Sequence, residues 1–177
     1  MIEPVAEPAQ VMSESTPPAS PMAYLQPGLV VTDLDVASRK RLFEELAELI
    51  ATNYVLNDDC EDSSTPDMEE IFTTLHDRER LGCTAVGKGI ALPHGRIEGL
   101  AEPVIAIARL SNPIDYDAPD RTPVWLAACL LVPADANEIH LNTLAALASR
   151  LDDSTFVERV RQSTSSEELY ELFAQPG

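Results

Sequence analysis

Apolar positions along the chain recur with two periods, and a set of elements follows from them. Leu29, Val30 and Val31 make a short extended segment, after which Ser38 caps a predicted helix whose apolar residues Leu42, Phe43, Leu46, Leu49 and Ile50 fall on one face. The polar stretch Asn57 to Thr65 predicts a loop. Pro66 in a first helical turn, with Asp67, Glu69 and Glu70 behind it, opens a second helix that buries Ile71, Phe72 and Leu75 and is expected to end near His76 and Asp77. Two continuous apolar runs, Val104 to Leu110 and Val124 to Val132, sit between proline-containing turns and predict buried strands. Asp135 or Asn137 can cap a third helix running to about Leu151, with Leu141, Leu144, Leu147 and Leu151 on one side. Ser154 begins a fourth, with Phe156, Val157 and Val160 inward, and the S-x-x-E capping box of Ser165 and Glu168 begins a last one carrying Leu169, Leu172 and Phe173.

Strands alternating with helices predict an α/β or mixed layered domain, a central sheet covered by helices. A length of 177 residues suits one domain with a full core. Residues 1–27 have no apolar period and are rich in Pro, Ser, Ala and Glu, so they predict a flexible proline-rich extension, with the folded domain over 28–174.

Charge narrows the function. Twelve Lys and Arg against 30 Asp and Glu give a formal charge of −18, which repels nucleic acid and anionic lipid. The longest apolar run is about half of the roughly 20 residues a membrane span needs, and the N-terminus lacks the basic and apolar regions of a secretory signal. No membrane insertion and a cytoplasmic location are expected. Cys60, Cys83 and Cys129 show no CxxC spacing and fit a reducing compartment.

The chemistry concentrates in RERLGCTAVGKGIALPHG, Arg78 to Gly95. The strand-like Ile90-Ala91-Leu92 leads into Pro93, His94 and Gly95, and a fixed φ before the imidazole with a permissive backbone after it presents the ring at a strand-to-loop transition. Gly87 and Gly89 bracket Lys88 in a G-x-G that can bring main-chain N–H groups to an anion, a weak signal taken alone. Near neutral pH an imidazole offers one unprotonated nitrogen as nucleophile while the other donates to an acceptor, which suits phosphoryl carriage. Arg78 is the candidate cation for phosphoryl oxygens.

This run, together with LLVPADANEIHLNTLAALASRL further on, resembles the enzyme IIA components of the bacterial phosphotransferase system, in the mannitol/fructose type that includes the nitrogen-regulatory proteins. The resemblance covers roughly Leu29 to Phe173. It implies a mixed sheet flanked by helices and a phosphoryl acceptor at His94, phosphorylated on Nε2 by a small histidine-containing phosphocarrier protein. It also implies active-site roles for Arg78 and for His140 at the start of the helix after L-V-P-A-D, with Thr84, Gly87, Gly89 and Gly95 positioning the phosphate. Cys83 stands where the family commonly has Ser, and Ala85 where it has Gly, so a hydroxyl contact from position 83 is not expected while Thr84 is kept. Downstream, the resemblance implies an enzyme IIB, a transporter or a sensor kinase as recipient or regulatory target. The sequence shows no fused enzyme IIB or permease segment, which favours the regulatory role over direct sugar uptake; the alternatives are a module whose unphosphorylated form binds and controls transporters or kinases, or a freestanding fructose/mannitol-specific uptake component.

No cofactor is expected. Three histidines and a cysteine lack the short paired spacing of zinc motifs, and no G-x-S-x-G elbow supports a hydrolase. His76, near the end of the second helix, reads as a cap or surface residue.

Overall fold

The computed structural model describes residues 21–56 and 64–176, apart from the side chains of Pro21, Ile139 and His140. After a 3-10 turn, Pro21–Tyr24, the chain runs through β1 (Leu25–Leu34), α1 (Arg39–Asn53), α2 (Met68–Leu81), β2 (Ala85–Gly87), β3 (Ile90–Ala91), β4 (His94–Ile97), β5 (Val104–Ile114), β6 (Val124–Pro133), α3 (Glu138–Asp152), α4 (Ser154–Gln162) and α5 (Ser166–Ala174). The six strands form one mixed sheet in the order β1-β5-β6-β3-β2, with β4 also paired to β6. Helices cover both faces, as the expected class requires.

β6 is the spine of the sheet. Every residue of it is buried, and it pairs antiparallel with β5 and parallel with β3 and β4. Its side chains alternate between two cores, as a strand covered on both faces must. Ala127, Cys129 and Leu131 face α1 and α2, while Leu126, Ala128 and Leu130 face α3 to α5. On the first face Ala106 and Ala108 of β5 join Ala127 and Cys129, and these small residues leave room for Phe43, Leu46, Ile50, Ile71 and Leu75 of the two helices.

Caps set several helix starts. Ser38 accepts from the Arg41 N–H at 3.1 Å and Ser165 from the Glu168 N–H at 3.1 Å. The Glu168 carboxylate reaches back to the Thr164 N–H at 2.7 Å, one residue ahead of the Ser165 N–H that a capping box uses.

Four boundaries differ from expectation. α2 continues past Asp77 to Leu81, because Glu79 takes the buried place that an apolar residue would hold after Ile71 and Leu75. Its cap is Asp67, accepting from the Glu70 N–H at 2.8 Å, so Pro66 lies before the helix rather than in its first turn. Met22 and Leu25 belong to the core, although the sequence pattern assigns them to the proline-rich extension, and β1 starts upstream of Leu29. The segment after Pro93 is a strand: β4 pairs with Leu130 to Pro133, and the Pro93 carbonyl accepts from the Leu130 N–H at 2.9 Å, so β3, Leu92-Pro93 and β4 run as one interrupted line along β6, with β2 outside β3 only. The loop expected over Asn57 to Thr65 lies for the most part outside the described residues.

Candidate phosphoryl-transfer site

His94 opens β4 opposite Leu130, and Gly95 follows opposite Leu131. Successive residues of a strand face opposite ways. Gly95 faces α2, where a Cβ would overlap the Thr74 Cγ2 methyl. The missing side chain therefore lets α2 lie directly on β4, and Arg78, one helical turn beyond Thr74, is brought to the histidine.

The ring of His94 is fixed at both nitrogens. Nδ1 lies 2.8 Å from the Leu92 carbonyl oxygen, and Nε2 lies 3.3 Å from Arg78 Nε. A carbonyl oxygen only accepts and a guanidinium only donates, so the contacts jointly assign one neutral tautomer: Nδ1 carries the proton and Nε2 presents its lone pair. Arg78 is itself anchored, its Nη1 donating to the Gly82 carbonyl at 3.0 Å.

The half-buried imidazole looks into an open cleft of about 590 Å³ between α2 and the start of α3, lined by Thr74, Asp77, Arg78 and Leu81 on one side and by Leu130, Val132, Leu141 and Leu144 on the other. Leu81 is 85% exposed and Leu141 46% exposed, so the cleft has an apolar rim. Arg96 adds a second cation to the lining, its Nη1 donating to the Ala134 carbonyl at 3.2 Å. Sequence reasoning missed Arg96, whose exposed side chain in β4 carries no periodic signal.

The other expected site residues are distributed unevenly. The backbone puts His140 in the first turn of α3, beside the cleft-lining Leu141, while its side chain lies outside the described residues. Gly95 lines the cleft. Thr84, Gly87 and Gly89 do not. Thr84 is buried, and its hydroxyl donates to Glu79 and lies 2.9 Å from the Tyr116 hydroxyl. Gly87 and Gly89 flank Lys88 in the β2–β3 turn, all three at positive φ, and a Cβ on Gly89 would run into Trp125. The Trp125 N–H donates to the Gly89 carbonyl at 2.8 Å. Close packing of the turn on Trp125 accounts for that glycine. His76 stacks on Phe72 with ring centroids 5.6 Å apart.

Sequence reasoning also missed a buried polar group behind the site. Glu79, Thr84 and Tyr116 hydrogen-bond to one another, and Arg39 lies 3.6 Å from Glu79. Burial pushes the Tyr116 phenol above its ordinary range, so it stays a donor. Burial likewise raises the Cys83 thiol, with the Glu79 carboxylate adding to the effect, and leaves position 83 a neutral thiol near pH 7.

Residues 23–175 match the family described as phosphoenolpyruvate-dependent sugar phosphotransferase system, EIIA 2. The chain belongs to that family. It is 37% identical over 148 residues to a nitrogen regulatory protein of Pseudomonas aeruginosa, covering 84% of this chain and 90% of that one. Among solved structures, the nitrogen regulatory protein IIA-Ntr of Neisseria meningitidis superposes with a TM-score of 0.74 at 34% identity, over 86% of this chain and 97% of that one. The fold also matches the mannitol enzyme IIA of Escherichia coli solved in complex with phosphorylated enzyme IIB, with a TM-score of 0.61 at 18% identity, over 85% and 98% of the two chains. This EIIA-family chain has no helix among its described residues long and apolar enough to cross a membrane.

Proposed function

We propose that this phosphotransferase-system protein accepts a phosphoryl group on Nε2 of His94 from a histidine-containing phosphocarrier protein, and that its phosphorylation state serves a regulatory output. The observation that carries the reading is the pair of contacts on the His94 ring, Leu92 O at Nδ1 and Arg78 Nε at Nε2.

In the transfer, the Nε2 lone pair forms a bond to phosphorus as the donor's own N–P bond breaks, and the donor imidazole leaves with the bonding electrons. The Nδ1 proton stays on His94, where the Leu92 carbonyl stabilises the positive charge of the phosphorylated ring. Charge in the loose transition state lies on the phosphoryl oxygens, and Arg78 can turn from Nε2 toward them while Nη1 stays on Gly82. Arg96 and the N–H groups at the start of α3, with His140 in that turn, supply further positive potential at the cleft. The apolar rim at Leu81 and Leu141 suits a protein donor more than a small molecule, because it offers area without filling the cleft.

Relatives named as nitrogen regulatory proteins support a regulatory recipient, an enzyme IIB, a transporter or a sensor kinase being the candidate classes. Incubation with the general phosphotransferase proteins and phosphoenolpyruvate, followed by intact mass, tests the carrier role: one phosphoryl group is expected on wild type and none on His94→Ala. Equal labelling of both proteins refutes it. For the output, pull-downs with wild type, His94→Ala and His94→Asp are expected to recover different partners, and identical sets count against a phosphorylation-dependent switch.

A further inference from the structure

Glu79 follows Arg78 on α2, but its side chain turns inward and is 7% exposed. Both carboxylate oxygens are occupied. Oε1 accepts from the Thr84 N–H at 3.1 Å and lies 3.6 Å from Arg39 Nη1, and Oε2 accepts from the Thr84 hydroxyl and lies 3.3 Å from the Tyr116 hydroxyl. A charge buried at this depth is costly unless fully paired, and apolar packing would serve stability as well. What it fixes is the turn from Gly82 to Thr84.

We propose that Glu79 is a positioning residue for phosphoryl transfer, setting the ring of His94 through Thr84 and Leu92. The inference rests on the reading of His94 as the acceptor. From the carboxylate the path is a series of consecutive hydrogen bonds: the Thr84 N–H donates to Glu79, the Thr84 carbonyl accepts from the Leu92 N–H at 3.0 Å, and the Leu92 carbonyl accepts from Nδ1 of His94 at 2.8 Å. A second branch holds the arginine. The Gly82 N–H donates to the Glu79 carbonyl at 3.2 Å, and the Gly82 carbonyl accepts from Arg78 Nη1 at 3.0 Å. The nucleophile and its cation are thus both referred to one short turn, and the Glu79 side chain closes its far end. Arg39 ties the cluster to the chain after β5, donating to the Tyr116 carbonyl at 3.0 Å.

The consequence is specific to the tautomer. With Thr84 released, Leu92 keeps its place along β6 but loses the hydrogen bond on its own N–H, and the carbonyl that keeps the proton on Nδ1 is less narrowly oriented. Nε2 then spends part of its time protonated and unable to attack.

The test uses Glu79→Gln, Thr84→Val and Thr84→Ser in the full chain. Two quantities are read: the His94 ring tautomer by ¹⁵N NMR of the unphosphorylated protein, and the rate and donor KM of phosphorylation by the phosphocarrier. Glu79→Gln and Thr84→Val are expected to mix the tautomers and slow transfer about tenfold or more, with donor KM unchanged. Thr84→Ser, which keeps the hydroxyl, is expected to stay near wild type in both. Should Glu79→Gln fail to fold, the two Thr84 variants carry the comparison. Folded variants that keep the wild-type tautomer, whatever their rate, overturn the positioning role. A wild type that takes no phosphoryl group defeats the carrier reading and this proposal with it, whereas a labelled wild type beside unaffected variants defeats the positioning role alone.

Discussion

A ring nitrogen 2.8 Å from a carbonyl oxygen keeps its proton, and at His94 that nitrogen is Nδ1. The other nitrogen meets a guanidinium that cannot be deprotonated, so in the proposed transfer Arg78 would mark Nε2 as the nucleophile and stand beside the incoming phosphoryl oxygens. Arg78→Ala is expected to slow phosphorylation by the carrier about 100-fold, the cost typical of removing one preorganised donor. Arg78→Lys recovers little of that loss, since an ammonium cannot hold Gly82 and Nε2 together; a rate near wild type for the lysine variant would show that charge alone suffices. Cys129 makes a residue-scale statement of another kind. Burial pushes its thiol up to about 12, whereas in the unfolded chain a thiol titrates near ~8.5. Its folded pKa is the raised one, so this contribution to stability is complete below about pH 8.5 and is lost as pH climbs toward 12. Urea unfolding at about pH 7.5 and 9.5 should show a fall in stability that Cys129→Ala reduces; equal slopes for both proteins would count against it.

At the scale of elements, the contact between α2 and β4 decides the site. Gly95→Ala drives a methyl into Thr74, and relief requires α2 to move off β4, at about 1–3 kcal/mol. Thermal unfolding and the phosphorylation rate should both fall. Thr74→Ser removes the opposing Cγ2 and should restore a large part of each in the double variant, and a double variant no better than Gly95→Ala would place the defect elsewhere. The same elements show what the sequence made legible. α1 and α5 could be read because Ser38 and Ser165 cap apolar stripes that obey one period. The end of α2 could not, because the buried face Ile71, Leu75, Glu79 closes on a carboxylate, which a hydrophobic pattern scores as surface. β4 escaped for a related reason: its sequence His-Gly-Arg-Ile carries one buried apolar side chain, and its identity as a strand lies in main-chain pairing with β6. The glycines at 87 and 89 suggested an anion nest, and at Gly89 only the long-range approach of Trp125 shows that a packed turn leaves no room for a side chain. His94 and Arg78 were singled out by motif and chemistry and the fold brings them into contact, while Glu79 and Arg96 depend on where the backbone turns.

For the whole molecule, β6 is the wall shared by the two cores, one under α1 and α2 and the other under α3 to α5. Neither core can open without exposing it, so unfolding should be a single cooperative transition. Trp125 lies on β6, stacked beneath Arg161 at 4.0 Å, and is the single tryptophan of the chain. Its fluorescence and the far-UV circular dichroism should therefore trace superimposable urea curves, and separated midpoints would show the cores unfolding independently. The two layers also explain the site: β4 is an edge strand, so the histidine it carries is open to a partner while α2 and α3 bound the cleft around it. In the proposed mechanism the fold prepares one nitrogen of one histidine, Nε2 of His94, for phosphorylation. ¹⁵N NMR of the protein after phosphorylation from phosphoenolpyruvate decides whether it does. A phosphorus coupling at Nε2 of His94, with the proton retained on Nδ1, is the predicted result, and a phosphoryl group found on Nδ1 or on any other residue would contradict it.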